Sequence, residues 1–186
     1  LESQLTKAIL SGSTGIAHTR WATHGAPTTK NAHPHTDCAN MVAIVHNGIV
    51  ENSSALRTML SERGHRFVSE TDTEVIAHLI EQFYTGSLED AVAAALRELE
   101  GAYGIAVISA REPDTIVAAR QGSPLLIGIG HGENFVASDP SAVLAHTRSV
   151  IYLGEGEMAV IRATGYQLKD RHAVPLTKEI SQIDWD

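Results

Sequence analysis

The stretch from Gly101 to Ile129, GAYGIAVISAREPDTIVAARQGSPLLIGI, decides the fold class. Ala102 to Ile108, Thr115 to Ala119 and Leu125 to Ile129 are apolar runs of strand length, separated by Pro113, Gly122 and Pro124. That spacing belongs to consecutive antiparallel strands. Downstream, Phe135 to Ala137 continues the series past Gly132, and Asp139 opens a brief helix through Leu144. Ser149 to Arg162 supplies two further strands around Gly154-Glu-Gly156, and Gln167 to Ala173 adds a last one.

Upstream the period changes from two to 3.6. Ser87 caps a helix whose apolar positions are Leu88, Val92, Ala95, Leu96 and Leu99, and Gly101 ends it. Thr71 and Glu74 have capping-box spacing, with Val75, Ile76, Leu79, Ile80 and Phe83 as the apolar face behind them and Asp72 in the first turn. Asn52 caps a third helix carrying Leu56, Met59 and Leu60, with Gly64 as its stop. Before these, Thr14 to Arg20 reads as extended and Met41 to Val45 as a buried strand. That strand ends at His46-Asn47-Gly48, where an Asn-Gly pair marks a tight turn before Ile49 and Val50. Leu1 to Leu10 reads as the tail of a helix. Strands in runs, with helices grouped together, define an α+β layered sandwich rather than alternating βαβ units.

Composition narrows the function classes. With 186 residues, 43% of them hydrophobic, the chain can bury one good core, so one domain over residues 1–186 is expected. A net charge of -8 and a pI near 5.6 argue against nucleic acid and against an anionic lipid surface. No apolar run approaches the roughly 20 residues of a membrane span, and no signal segment opens the sequence, so a cytoplasmic protein is expected. Cys38 is the only cysteine and cannot form an internal disulfide.

Polar specificity concentrates in Gly15-Ile-Ala-His-Thr-Arg-Trp-Ala-Thr-His-Gly25 and Asn31-Ala-His-Pro-His35. The guanidinium of Arg20 offers a fork of donors that suits a carboxylate, and Trp21, Thr23, His24 and Gly25 lie in a loop able to cover a small zwitterion. Asp72 is an acid at a helix start, where the dipole alone is a sufficient reason for it. Asn47-Gly48, taken alone, is a plain turn. A rival reading from another class makes His33-Pro-His35, with His18, His24 and His46, ligands of a metal. Against it, the sequence has no thiolate pair, and no two histidines of this cluster fall at i, i+4 on a predicted helix. No metal or other cofactor is therefore expected. His65, His78, His131, His146 and His172 read as solvated or satisfied structural residues.

Five segments carry a family resemblance: the two just quoted, His46-Asn-Gly-Ile-Val-Glu-Asn52, Ser69-Glu-Thr-Asp-Thr-Glu-Val-Ile-Ala-His78 and Gly101-Ala-Tyr-Gly104. Together with Ala119-Arg-Gln-Gly-Ser-Pro-Leu125 and Phe135-Val-Ala-Ser-Asp139, they resemble the glutaminase domain of the glucosamine-6-phosphate synthase family, class II glutamine amidotransferases. The resemblance implies the N-terminal-nucleophile hydrolase fold, an αββα sandwich of two antiparallel sheets between helical layers. It implies hydrolysis of the side-chain amide of L-glutamine and use of the ammonia to make glucosamine 6-phosphate from fructose 6-phosphate. The partners implied are a sugar-phosphate isomerase domain of the same enzyme and a second copy in a homodimer.

By the same resemblance Arg20 clamps the glutamine carboxylate and Asp72 accepts its α-ammonium. Trp21, Thr23, His24 and Gly25 form the lid, His33 lines the pocket, and Asn47 and Gly48 form the oxyanion hole. A side-chain amide plus a backbone N–H is the donor pair that a tetrahedral acyl intermediate requires. The family's nucleophile is an N-terminal cysteine, whereas this sequence opens on Leu1, and Cys38 lacks a free α-amine. The expectation is that the sequence as given lacks the N-terminal strands with the nucleophile, does not hydrolyse glutamine by itself, and leaves a sheet edge unpaired. The glutaminase part of a phosphoribosyl-pyrophosphate amidotransferase is the nearest alternative, and a noncatalytic regulatory piece is another.

Overall fold

The computed structural model describes residues 12–20 and 25–184. The expected helix tail at Leu1 to Leu10, and the lid residues Trp21, Thr23 and His24, lie outside the described residues. In chain order the elements are β1 (His35–Thr36), β2 (Val42–Val50), α1 (Ser53–Glu62), α2 (Asp72–Phe83), α3 (Leu88–Glu98), β3 (Gly101–Ser109) and β4 (Glu112–Gln121). There follow β5 (Leu126–Ile129), β6 (Asn134–Ala137), β7 (Ser149–Tyr152), β8 (Glu157–Arg162), β9 (Gly165–Lys169), β10 (Pro175–Leu176) and β11 (Ser181–Gln182).

Among the described residues the strands make two sheets, ordered β1-β2-β3-β4-β8-β9-β10 and β11-β7-β5-β6, with antiparallel strand pairs throughout. The expected α+β class with antiparallel sheets is what the chain adopts. Helices α1, α2 and α3 cover the first sheet, sharing a core that includes Ile44, Ile105 and Val117 from the strands and Leu60, Ile76, Leu79, Ile80 and Val92 from the helices. A second core, with Ala118, Ile127, Ile151, Leu153, Ala159 and Ile161, lies where the two sheets pack face to face. On the far face of the second sheet, Leu126, Val150 and Ile183 pack with Val143, which follows the 3₁₀ turn Pro140–Ala142. That short turn stands where a fourth, helical layer is expected. No helix among the described residues is long and apolar enough to cross a membrane.

Local readings are refined in four places. Ser87 and Thr71 cap α3 and α2 as expected, accepting from the Asp90 and Glu74 amides. Glu74, however, does not reach back to the cap: its carboxylate accepts from the amides of Val68 (2.7 Å) and Ser69 (2.7 Å) and from the Ser69 hydroxyl (2.6 Å). Asn52 stands at the start of α1 without capping it. Its amide instead donates to the Glu98 carbonyl (2.8 Å) and accepts from the Glu100 amide (3.1 Å), fastening the α3–β3 connection. Gly101 opens β3 instead of ending α3.

The fourth difference bears on function. Asn47-Gly48 is not a turn: β2 runs unbroken from Val42 to Val50, with Asn47 opposite Gly104 and Gly48 opposite Tyr103. Glycine is needed there because β3 comes close. A Cβ on Gly48 would lie 2.1 Å from the Ala102 carbonyl oxygen, and φ is +132°. Asn-Gly signals positive φ in either setting, so the pair alone does not distinguish a turn from a close strand approach. Gly48→Ala is expected to destabilise the fold by about 2–3 kcal/mol through strain and clash, read as a lowered urea midpoint. An unchanged midpoint would show that β3 is free to move away.

Candidate active site

A cavity of ≈ 170 Å³ opens beside β2 at the start of α2, lined by His18, Thr19, Arg20, His33, His46, Asn47, Gly48, Thr71, Asp72 and Thr73. At about 30 Å³ of liquid volume per water, it suits an amino-acid-sized ligand and not a macromolecular segment. Four chain segments build it. Residues 18–20 run alongside with no strand assigned, His33 enters from the loop before β1, β2 contributes His46, Asn47 and Gly48, and α2 presents its buried start from Thr71 to Thr73. Among the sequence-derived candidates, Arg20, His33, Asn47, Gly48 and Asp72 all meet in this cavity. Gly25 does not line it. It sits at φ +76°, with Asn31 Nδ2 only 2.7 Å from where its Cβ would be.

Each group is held. Asp72 Oδ2 accepts from the Val50 amide at 2.9 Å, which binds the start of α2 to the end of β2. Arg20 donates to the carbonyls of Ala26 and Gly25, each at 3.2 Å, so its guanidinium braces the segment at residues 25 and 26. Asn31, in the 3₁₀ turn Thr29–Asn31, donates to Ala26 O (3.0 Å) and accepts from the Glu70 amide (3.0 Å), tying that segment to the loop before α2. Asp72 at the N-terminus of α2 lies where the helix dipole favours an anion.

His18 is the residue that sequence reading left with only a metal-ligand role. Its Nε2 lies 2.6 Å from Asn47 Oδ1. A carbonyl oxygen only accepts, so His18 Nε2 is the donor, and the NH2 group of Asn47 is left for another partner. The available signal was the spacing: His18 and Arg20 lie two apart in an extended segment and so share a face. His18 and His33 pack ring on ring at 4.4 Å, His33 and His35 at 5.0 Å, and both His18 and His33 keep a buried Nδ1 with no hydrogen-bond partner. Buried polar atoms are rarely left in this state unless a ligand or water serves them.

His33, His35 and His46 are held neutral. Burial, reinforced by the neighbouring His18, lowers the pKa of His33 to about 3. Burial also lowers that of His46, outweighing the pull of Asp72; its Nδ1 lies 3.0 Å from the Thr73 hydroxyl and its Nε2 3.4 Å from the Ala102 carbonyl. His35, 2.9 Å from the Thr71 hydroxyl, is lowered too, chiefly by burial. The charge that the cavity offers a ligand therefore comes from Arg20 and Asp72, one of each sign. Of the rival ligand set, His18, His33, His35 and His46 do not converge as a metal cluster among the described residues, and His24 lies outside them. Instead, Cys38, His65, His78 and Glu81 gather elsewhere, at the later turns of α2.

The pocket between strand β2 and the N-terminus of α2 thus brings an amide, imidazoles and one charge of each sign around a small cavity. The comparisons give it a family. The glutamine amidotransferase domain profile matches residues 18–145, and the chain belongs to that family. It is 52% identical to glutamine–fructose-6-phosphate aminotransferase (isomerizing) of Methanothermobacter thermautotrophicus, with all of this chain and 32% of that protein aligned. It is 51% identical to the Thermotoga maritima protein of the same name, over 92% of this chain and 28% of the relative. The chain thus spans about a third of the length of the curated relatives it matches. Among solved structures it resembles the glutamine phosphoribosylpyrophosphate amidotransferase of B. subtilis, with TM-score 0.69 and 28% identity over 83% of this chain and 34% of that one. A class-II glutamine aminotransferase domain protein of Silicibacter pomeroyi shares the fold, with TM-score 0.58 and 20% identity over 74% and 70% of the two chains.

The neutral histidines carry a pH signature. Between the ordinary histidine pKa of 6.5 and the value of about 3 held by His33, the unfolded chain binds a proton that the folded chain refuses. Stability therefore falls as pH drops through this window. From pH 7 to 5, above the range where Glu74 titrates, His33→Gln is expected to flatten the decline in urea-derived stability. An identical slope in the variant would mean that His33 protonates freely in the folded state.

Proposed function

We propose that this chain is the glutamine-binding part of a glutaminase that hydrolyses the side-chain amide of L-glutamine and supplies ammonia for making glucosamine 6-phosphate from fructose 6-phosphate. One observation carries the reading: Arg20 and Asp72, from distant parts of the sequence, face one small cavity together with Asn47 and Gly48. In the proposed complex the α-carboxylate of glutamine lies on Arg20 and its α-ammonium on Asp72. The side chain then extends toward β2. There the Asn47 amide, turned by His18, and the Gly48 N–H stabilise the oxyanion that forms when the amide carbon is attacked. Neutral His33 lines the pocket without adding charge, and Trp21, Thr23, His24 and Gly25 close over the substrate.

Cys38 does not line the cavity, so the nucleophilic thiol is taken to come from another part of the full-length protein. A sugar-phosphate isomerase domain receives the ammonia, the enzyme works as a homodimer, and its setting is cytoplasmic. Identities of 45–52% to relatives named glutamine–fructose-6-phosphate aminotransferase, against 28% to the B. subtilis phosphoribosylpyrophosphate amidotransferase, favour this branch.

The test is glutamate release by the full-length protein. Asp72→Asn keeps an oxygen for the Val50 amide but removes the charge, and should lower kcat/KM roughly 10- to 100-fold, mainly through KM; Arg20→Ala should do the same. Asn47→Ala should instead lower kcat by about 100- to 1000-fold. Full activity in both charge variants would refute the clamp.

A further inference from the structure

About 9 to 14 Å along α2 from Asp72, at a rise of roughly 1.5 Å per residue, His78 and Glu81 form a second polar cluster with Cys38 and His65. The four come from three places. Cys38 is in the loop between β1 and β2, which Asp37 shapes by accepting from the amides of Met41 (2.7 Å) and Val42 (3.0 Å). His65 follows the turn at Gly64 after α1, and His78 and Glu81 are i, i+3 on α2. One donor atom from each converges on a common point. His65 Nδ1 is 3.3 Å from His78 Nδ1 and 3.0 Å from Glu81 Oε2, and His78 Nδ1 is 3.4 Å from Glu81 Oε2. Cys38 Sγ is 3.4 Å from His78 Nδ1 and 3.8 Å from His65 Nδ1.

These separations are the edges of a coordination tetrahedron. With Zn–N of about 2.0–2.1 Å and Zn–S of about 2.3 Å, neighbouring ligand atoms stand about 3.3–3.6 Å apart. The five distances scatter around that range.

The tautomers point the same way. His65 Nε2 lies 3.2 Å from Gln82 Oε1, an acceptor, so Nε2 carries the proton and Nδ1 presents its lone pair to the cluster. His78 Nε2 has no hydrogen-bond partner and faces Glu74 Oε1 at 3.6 Å, a carboxylate that draws the ring proton to that side. Two imidazole lone pairs and a carboxylate oxygen are thus aimed at one another, and the protons near them are the Cys38 thiol and the Cys38 amide, which donates to Glu81 Oε2 at 3.2 Å. Such a hollow calls for a cation. A ligating histidine whose far nitrogen faces a carboxylate or amide is also the usual support of a metal site.

We propose that Cys38 Sγ, His65 Nδ1, His78 Nδ1 and Glu81 Oε2 bind one Zn²⁺ ion. The thiolate, two imidazoles and a carboxylate in tetrahedral array select zinc over the hard cations. Four protein ligands close the coordination sphere, so the ion is structural. None of the four lines the glutamine cavity, and the proposal stands independently of the glutaminase reading. The ion pins the β1–β2 loop and the post-α1 turn to the helix that carries Asp72. Cys38 is exposed, so the ion has a route in from solvent.

The test uses the whole chain, stripped with a chelator and titrated with Zn²⁺ by calorimetry and with Co²⁺ by absorption. One equivalent of each should bind, the cobalt form should show thiolate-to-metal charge transfer, and zinc should raise the Tm. Gln82→Ala, outside the ligand set, should weaken zinc about 10- to 100-fold while leaving the far-ultraviolet circular dichroism unchanged. Cys38→Ser should abolish the charge-transfer band and weaken zinc further. Absence of stoichiometric binding would overturn the proposal. So would binding whose affinity and spectrum are unchanged in Cys38→Ser, since that would put the ion on other histidines.

Discussion

The buried start of α2 is the constraint on which the rest depends. Thr71, Asp72, Thr73 and Glu74 are all buried, two of them carboxylates, and burying charge without partners is prohibitively unfavourable. Each acid is therefore matched. Asp72 takes the Val50 amide, and Glu74 takes two amides and a hydroxyl from residues 68 and 69. Burial raises the pKa of Glu74, but the His78 ring, Ser69 and the Val68 amide outweigh it and hold the value at about 2. These bonds lock α2 against β2 and against its own lead-in loop. The cavity exists because that lock sets an acidic helix start beside the one strand position where β3 demands glycine.

Much of this was legible in the residues. The Gly101 to Ile129 stretch and the helical periods at residues 71–83 and 87–99 were sufficient for the α+β class, because apolar period reports burial directly. Arg20, Asp72 and His33 were legible as a set only through motif resemblance, since each alone has an ordinary structural explanation. What the residues could not convey was pairing. Glu74 has the spacing of a capping-box acid yet bonds upstream groups, because the Thr71 amide donates to Ser69 Oγ and residues 68 and 69 supply the donors for its carboxylate. Asn52 has the identity of a cap yet bridges to α3. The Asn47-Gly48 pair encodes positive φ, but only the position of β3 decides whether that φ makes a turn or an approach.

Histidine was the least legible residue type. Ten histidines in 186 residues invite a metal reading, but in the obvious group around His33-Pro-His35 the His33 ring packs tilted against His18 and edge-on to His35, and His18 and His33 line the cavity. The converging group instead joins His65 and His78 to Cys38 and Glu81, across 43 residues of sequence between Cys38 and Glu81. A search for histidine pairs at i, i+4 passes over it, because its helical pair is His78 with Glu81 at i, i+3. Helix α2 thus serves both groups: its first turn faces the cavity and its later turns face the thiol and imidazoles.

The most direct measurement is a crystal structure of the protein with L-glutamate, the product of the proposed reaction, bound. The expected result is a single molecule in the cavity, with its α-carboxylate on Arg20, its α-ammonium on Asp72 and its side-chain carboxylate against Asn47 Nδ2 and the Gly48 amide. Glutamate bound elsewhere, or in the reverse sense with its α-carboxylate at Asn47, would contradict the account.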